Sequence, residues 1–121
     1  MVSPAVGSVV LVRFPFSDLS ASKLRPAVVL AGVERDDWIL CQVTSNPYSD
    51  NRAVEVAESD FVSGGLNRPS YARPGKLFSA NSSLIQDIRG QLNKAKLTAV
   101  VDAIVAILCP EKDPTPQHRL P

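Results

Sequence analysis

The sequence has almost no net charge, two cysteines and one histidine. Its 13 basic and 12 acidic residues leave a formal net charge of +1 over 121 residues. Bulk charge therefore does not draw the chain to nucleic acid, and any anion site depends on where individual arginines and lysines lie. Cys41 and Cys109 form no C-x-x-C pattern, and His118 lies in a proline-rich tail. We therefore expect no metal site, no cofactor and no disulfide framework.

Long apolar runs are also missing. No segment approaches the length of a membrane-spanning helix, so we expect no membrane partner. The lack of a disulfide framework and of a signal peptide indicates a cytoplasmic protein. A chain of 121 residues corresponds to one domain with its own core. We expect that domain to span residues 1–109 and to be followed by a proline-rich, extended or mobile tail, 110–121.

Short apolar segments and one amphipathic segment make up the rest. Strands are predicted at residues 8–14, 26–31, 38–44, 53–56, 76–79 and 90–92, and one helical turn at 82–88. The spacing of six apolar residues predicts a helix from an Asn93 cap to Pro110: Leu97, Val100, Val101, Ile104, Val105 and Leu108. Several short strands and one closing helix favour a small, strongly curved, mostly antiparallel sheet or barrel.

The strands at 26–31 and 38–44 are separated by six residues, so a hairpin is the simplest connection between them. If Ala31 pairs with Trp38 and no bulge intervenes, Arg25 lies opposite Thr44, and their side chains share one side of the sheet. Pro26, which has no N–H to donate, suits the first position of a strand and keeps Arg25 extended. The register therefore places a guanidinium beside a hydroxyl at an open end of the sheet, next to Ser45.

An arginine, two hydroxyl groups and the neighbouring serine-rich 15–24 loop together make a reasonable phosphate-binding site. The alternative from the pattern alone is that Arg25 is an ordinary strand-edge residue and Thr44 an ordinary β-branched strand residue. The residues by themselves leave both interpretations open.

A wider set of segments resembles a known family. The stretches Gly7-Ser-Val-Val-Leu-Val, Phe14-Pro-Phe-Ser-Asp-Leu-Ser, Lys23-Leu-Arg-Pro-Ala-Val-Val-Leu and Leu40-Cys-Gln-Val-Thr-Ser are similar to the first half of MazF/PemK-like toxins. Gly64-Gly65-Leu66, Ser70-Tyr-Ala-Arg-Pro-Gly-Lys-Leu and Gly90-Gln-Leu are similar to the second half. The resemblance covers roughly residues 7–108 in order, and its most specific part is the Arg-Pro step paired with the strand that ends in threonine.

The resemblance implies a small SH3-like (CcdB/PemK-like) antiparallel barrel with a C-terminal helix. It also implies a sequence-specific, metal-independent endoribonuclease of a type II toxin–antitoxin pair. Such enzymes cut single-stranded RNA by attack of the 2′-OH, leaving 2′,3′-cyclic phosphate and 5′-OH ends. The family's two residues at the scissile phosphate match Arg25 and Thr44. A homodimer and a cognate antitoxin are the implied partners.

The general base is not identified by this resemblance. Some members carry Arg-x-Asp in the later loop, where this chain has Arg73-Pro74-Gly75. Ser45 is a candidate to share the role of Thr44, and Asp18 is a candidate base whose alternative is an ordinary turn aspartate. Further candidates for RNA contact are polar or basic residues in or near predicted loops: Ser17, Ser20, Lys23, Arg52, Arg68, Arg73 and Lys76.

Two other functions stay open at this point. One is a non-enzymatic CcdB-like toxin that poisons DNA gyrase through the end of its closing helix. The sequence after Leu108 has no aromatic terminus for that role. The other is a small-barrel binding module, in which the register of Arg25 and Thr44 is a coincidence.

Overall fold

The computed structural model describes residues 3–14 and 23–112. Its strands and helix are, in chain order, β1 Ser8–Phe14, β2 Lys23–Gly32, β3 Asp37–Thr44, β4 Val54–Val56, β5 Phe61–Gly64, β6 Ser70–Asn81, β7 Ile85–Leu92 and α1 Lys94–Leu108. Short 3₁₀ turns occupy Glu58–Asp60, Ser82–Leu84 and Pro110–Lys112. The predicted loop residues Ser17, Asp18 and Ser20 lie outside the described residues, as does most of the predicted tail.

Within the described residues, the strands form one sheet in the order β4-β6-β3-β2-β1-β7-β5, with antiparallel pairing throughout. The sheet curls into a half-barrel, and α1, which follows β7 in the chain, packs against β6 and β4. This confirms the predicted fold class. In the same ranges, no helix combines the length and the apolar character needed to cross a bilayer.

The central strands are buried on both faces, which explains why their sequences read as nearly continuous apolar runs. Alternate residues point to opposite sides of a strand. One side joins the core beneath α1, which contains Val9, Val28, Cys41, Val43, Val56, Ala72, Leu92, Val100 and Ile104. The other side joins a second core, which contains Val10, Val12, Ala27, Val29, Leu40, Ala80 and Ile85. β1, β2 and β3 therefore hold the two cores together.

The helix α1 begins where the sequence predicts. The Asn93 side chain accepts a hydrogen bond from the Lys96 N–H at 2.8 Å, as an N-cap residue does. Val100 and Ile104 are buried against the sheet. Val101 and Leu108 were predicted on the same apolar face, but they are 38% and 70% exposed. The buried stripe is therefore narrower than the spacing of apolar residues suggested.

The later strands differ most from prediction. β6 begins at Ser70 and runs through Pro74 and Gly75, where irregular chain was expected before residue 76. Its pairing with β3 is interrupted there, since Cys41 pairs with Leu77 while Val43 pairs with Ala72. A proline in that gap removes no ladder hydrogen bond. The predicted helical turn at 82–88 is also wrong in extent, because it ends at Leu84 and β7 begins at Ile85.

Candidate functional site

A cleft of about 300 Å³ opens where β2 begins and β3 ends. Ala27 pairs with Gln42 in the ladder between these strands. Arg25 and Thr44 lie two residues beyond this pair on their strands, and both line the cleft together with Ser45. The structure therefore brings the two residues to one cleft, and their direct pairing across the hairpin stays a prediction.

The assumed pairing at the far end of this hairpin is wrong. Trp38 pairs with Gly32, and Ala31 pairs with Ile39, because a one-residue bulge follows Val29. The bulge shifts the register only on the side near the β2–β3 turn. The pairing at the cleft end is unaffected.

The floor of the cleft is apolar and comes from three adjacent strands. Leu11 of β1 pairs with Pro26 of β2, and Val43 of β3 lines the same cleft. The opposite wall is the turn at residues 65–68 that follows β5. The floor gives the site a fixed shape, because its strands are anchored in both cores.

Three arginines line the cleft: Arg25, Arg68 and Arg89. No described residue of the lining carries a carboxylate. Arginine stays protonated at any ordinary pH, and its planar fork matches two oxygens of a phosphate. A lining with this charge favours a phosphate-bearing ligand over a neutral or cationic one.

The Thr44 hydroxyl is held in one orientation by the backbone that follows it. Its Oγ1 accepts a hydrogen bond from the Asn46 N–H at 3.1 Å and donates to the Asn46 carbonyl at 3.1 Å. A hydroxyl has one hydrogen and two lone pairs, so Thr44 retains an acceptor position. It can therefore accept a hydrogen bond from a ligand hydroxyl in the cleft.

The wall at 65–68 is fastened by a carboxylate from outside the cleft. Oε2 of Glu58 accepts hydrogen bonds from the N–H groups of Leu66 at 3.2 Å and Asn67 at 2.9 Å. A Cβ at Gly65 would overlap Oε1 of Glu58, so a larger residue there would push this carboxylate aside. The turn thus presents Asn67 and Arg68 to the cleft from a fixed backbone.

Other residues predicted to contact RNA lie away from this lining. Lys23 begins β2, and Arg52 and Lys76 are exposed. Arg73 is engaged elsewhere: its Nε donates to Oδ2 of Asp50 at 3.0 Å, and its guanidinium carbon lies 5.9 Å from the centre of the Tyr48 ring. Arg73 therefore secures the β3–β4 loop in this structure, and its contact with RNA stays a prediction.

The loop pairing also acts on the ionisation of Asp50. Its pKa lies below the usual range, mainly because Arg73 donates a hydrogen bond to the carboxylate, with a second donated by the Arg52 N–H. The anchor of this loop is therefore charged at neutral pH. No group of three or more histidine, cysteine or acidic side chains with the makings of a metal site occurs in residues 3–14 and 23–112.

Sequence reasoning missed Arg89 and Asn67. Arg89 reaches the cleft through the pairing of β7 with β1, which joins segments more than seventy residues apart. Asn67 reaches it because the backbone there is left-handed, with φ of 64°. The Gly-Gly pair just before Asn67 was the available signal for a tight turn.

Together these features define a class of protein: a small antiparallel half-barrel with a closing helix and a cationic cleft at the end of its central hairpin. The chain belongs to the PemK-like, MazF-like toxins of type II toxin–antitoxin systems, whose family model matches residues 5–108. No curated protein sequence matches it significantly.

Several solved structures share this fold. An endoribonuclease in complex with its cognate antitoxin from a mycobacterial species superposes with a TM-score of 0.67 at 14% identity, covering 88% of this chain and 95% of that one. The Mycobacterium tuberculosis toxin MazF-mt6 gives 0.65 at 16% identity, covering 84% and 95%. MazE-MazF from Deinococcus radiodurans gives 0.67 at 20% identity, covering 87% and 95%. At these identities the likeness concerns the fold.

Proposed function

We propose that this chain is a sequence-specific endoribonuclease that cuts single-stranded RNA without a metal ion. The observation that carries the proposal is a cleft lined by Arg25 and Thr44, with Arg68 and Arg89 also in the lining and no carboxylate among its described residues. Membership of the toxin family supports it. So do similar folds in proteins described as endoribonucleases.

The reaction is an internal transfer at phosphorus. The 2′ oxygen attacks the adjacent phosphorus, the bond from phosphorus to the 5′ oxygen breaks, and the products are a 2′,3′-cyclic phosphate and a 5′-OH. A base takes the proton of the 2′-OH, and the departing 5′ oxygen gains one. No electrons are gained or lost, and no metal is required by the balance of the reaction.

Arg25 stabilises the charge that grows on the phosphate oxygens, because its guanidinium is permanently positive and offers two parallel donors. Thr44 accepts a hydrogen bond from the 2′-OH and holds it beside the phosphorus, while Ser45 lies next to it. Arg68 binds the backbone from the opposite wall. The candidate base Asp18 falls outside the described residues, and its role stays a prediction from the sequence, as do the roles of Ser17 and Ser20.

The partners follow the family. We propose that the chain acts as a homodimer in the cytoplasm and that a cognate antitoxin inhibits it by covering the cleft. Structures of relatives with an antitoxin, such as the mycobacterial endoribonuclease complex and MazE-MazF, support the antitoxin as a partner. An anionic or amphipathic segment suits a cleft lined by arginines.

The proposal is tested by incubating the purified protein with a sequence-diverse single-stranded RNA pool in excess EDTA and mapping the ends. Cleavage at a short recurring sequence with 5′-OH ends is expected. Arg25→Gln is expected to lower kcat/KM roughly 10²–10³-fold, the usual loss for one preorganised donor. Arg35→Gln is the matched control, because exposed Arg35 lies at the other end of the same hairpin.

Three outcomes contradict the proposal. A folded wild-type protein that cuts nothing in the pool is not an endoribonuclease of this kind, and the gyrase-poison or binding-module alternatives then gain weight. Cleavage that requires added Mg²⁺ contradicts the metal-free reaction. Equal losses of kcat/KM in Arg25→Gln and Arg35→Gln show that Arg25 has no specific role in the site.

A further inference from the structure

Arg89 occupies an irregular position in β7. Val9 of β1 pairs with Gly90 and Val10 pairs with Ile88. Arg89 is therefore the extra residue of a β-bulge, with no partner on β1. Bulges redirect a side chain that a regular ladder would place elsewhere, and they are frequent beside functional sites. Here the bulged residue is an arginine that lines the cleft.

The backbone and the side chain of Arg89 are each held by a hydrogen bond. The Arg89 carbonyl accepts a hydrogen bond from the Gly65 N–H at 3.0 Å, which ties β7 to the turn that forms the opposite wall. Gly64 allows this approach, because a Cβ there would overlap the same carbonyl. Nη1 of Arg89 donates to Oδ2 of Asp87 at 3.3 Å, so the guanidinium also has a partner that orients it.

Three residues of the cleft lie on different strands, in a fixed order across the sheet. Thr44 is on β3, Arg25 on β2 and Arg89 on β7, with β1 between the last two. Strands are spaced by about 4.8 Å, so the backbones of β2 and β7 are separated by about 10 Å. The arrangement suits two phosphates of one strand that crosses the sheet, one near Arg25 and the next near Arg89.

We propose that Arg89 binds a backbone phosphate neighbouring the scissile phosphate, and so fixes where along the RNA strand the cut falls. This inference rests on the proposed function. Arg89 contacts RNA but not the reacting atoms, so its contribution is to binding and register. Asp87 holds the guanidinium in place while RNA is absent and competes with the phosphate for it.

Because the ion pair is exposed, replacing Asp87 by a phosphate at Arg89 requires little free energy. The side chains of Arg89 and Asp87 are 49% and 53% exposed. Exposed ion pairs contribute little to stability, so a phosphate can replace the carboxylate at small cost. A phosphate also accepts two hydrogen bonds from the planar fork. RNA is favoured over an acidic protein segment because Arg89 shares its cleft with the Thr44 hydroxyl, which has an acceptor position for a ribose 2′-OH.

The test measures binding and catalysis separately. Binding uses a fluorescent 2′-O-methyl RNA pool, which lacks the free 2′-OH and is not cut. Arg89→Gln is expected to raise Kd about tenfold and to reduce the slope of log Kd against log salt by about 0.7, the value for one phosphate contact on a single strand. Arg89→Lys recovers most of the slope, and Asp87→Asn tightens binding severalfold. Arg35→Gln changes neither quantity.

Cleavage of the natural-sugar pool gives the second readout. Arg89→Gln is expected to raise KM with kcat within about twofold, and to blur the position of the mapped cuts. An unchanged Kd and salt slope overturn the inference, even where wild-type cleavage supports the proposed function. Unchanged RNA binding combined with weaker inhibition by an antitoxin assigns Arg89 to the protein partner instead. A wild-type protein that binds RNA without cutting it contradicts the proposed function. The salt slopes of the wild type and Arg89→Gln then still show whether Arg89 binds a phosphate.

Discussion

The thiol of Cys41 donates a hydrogen bond to the main-chain carbonyl of Arg73, with 3.2 Å between sulfur and oxygen. The contact lies where β6 leaves its regular pairing with β3. Where a ladder is interrupted, its carbonyls need other donors, because an unpaired carbonyl in a buried setting is costly. Cys41, which is fully buried, therefore helps β6 to pass Pro74 without leaving the sheet.

Burial raises the pKa of Cys41 from 9.0 to about 12, so the group stays a neutral thiol across the ordinary pH range. Thiolates are the reactive form. We expect iodoacetamide at about pH 8.5 to modify Cys109, which is partly exposed, and to leave Cys41 intact until the protein unfolds. Mass spectrometry of native and denatured samples measures this. Labelling of both cysteines at one rate in the folded protein would contradict the assignment.

The same shift predicts how stability depends on alkaline pH. The unfolded chain releases the Cys41 proton near pH 9, and the folded chain holds it until about pH 12. The stabilisation is therefore complete below pH 9 and is lost as the pH rises towards 12. Cys41→Ala removes this dependence, so urea unfolding at increasing pH should show a shallower decline in the variant.

A second prediction concerns the ion pair of Asp50 and Arg73, whose side chains are 16% and 19% exposed. Asp50→Asn is expected to lower the free energy of unfolding at pH 7 by about 1–2 kcal/mol, between the values for exposed and buried pairs. The folded pKa of Asp50 is depressed, so its stabilisation is present above the unfolded value of about 3.9 and disappears as pH falls through the folded value.

Urea unfolding at neutral pH and at a series of falling acid pH values checks both parts of that prediction, because the difference between the wild type and Asp50→Asn should shrink as the pH falls through the lowered folded pKa of Asp50. Asp87→Asn is the control. Its pair with Arg89 is about half exposed, so its effect on stability should stay within about 0.5 kcal/mol. If the free energies of unfolding of wild type and Asp50→Asn differed by the same amount at all pH values, the charge of Asp50 would not be the cause of the stabilisation.

A third prediction compares two glycines. Gly64 has φ of 68°, and an added Cβ would overlap the carbonyl of Arg89. Gly64→Ala is therefore expected to destabilise the fold by about 1–3 kcal/mol. At Gly75 a Cβ meets only Cδ1 of Ile107, at 4.0 Å, so Gly75→Ala should be neutral or stabilising by up to about 1 kcal/mol. The urea midpoints of the two variants measure both effects. Equal midpoint shifts would refute the claim that Gly64 is needed for the close approach to the Arg89 carbonyl.

A fourth prediction separates the hydroxyl of Thr44 from its shape. Thr44→Val is expected to slow single-turnover cleavage in EDTA roughly 10²-fold, because the 2′-OH loses its positioning partner. It should also cost about 1 kcal/mol of stability, because the Asn46 N–H loses its acceptor. Thr44→Ser keeps the hydroxyl and should stay within about tenfold of the wild-type rate. A fully active Thr44→Val would exclude this role.

The first half of the fold was predictable because its signals are local. Apolar runs marked β1, β2 and β3, and the six-residue link between the latter two made a hairpin the natural choice. The predicted register holds from Ala27 to Val29, because the bulge lies beyond Val29 on the side away from the cleft that Arg25 and Thr44 line. Asn93 was recognisable as a cap since its chemistry depends only on the next three residues.

The second half was less predictable because its strands depend on distant partners. Ile85 and Ile88 have a spacing compatible with a helix, yet they pair with Val12 and Val10 of β1, and tertiary pairing overrides local preference. Pro74 and Gly75 indicated irregular chain, but the gap in the β3–β6 ladder accommodates them. Arg89 could not be predicted for the same reason, since no residue near it in the sequence indicates a bulge against β1.

β2 carries fully buried residues from Ala27 to Val29, and Arg25 precedes them by a single proline. Any substitution that expels this strand from the cores also removes the arginine from its cleft. In a genetic selection for host cells that survive expression of this chain, escape mutations will thus fall mostly on the many interior positions of β1, β2 and β3. In most surviving cells the protein will be degraded or insoluble. Under the proposed function, folded but inactive variants will carry substitutions at the few positions that line the cleft.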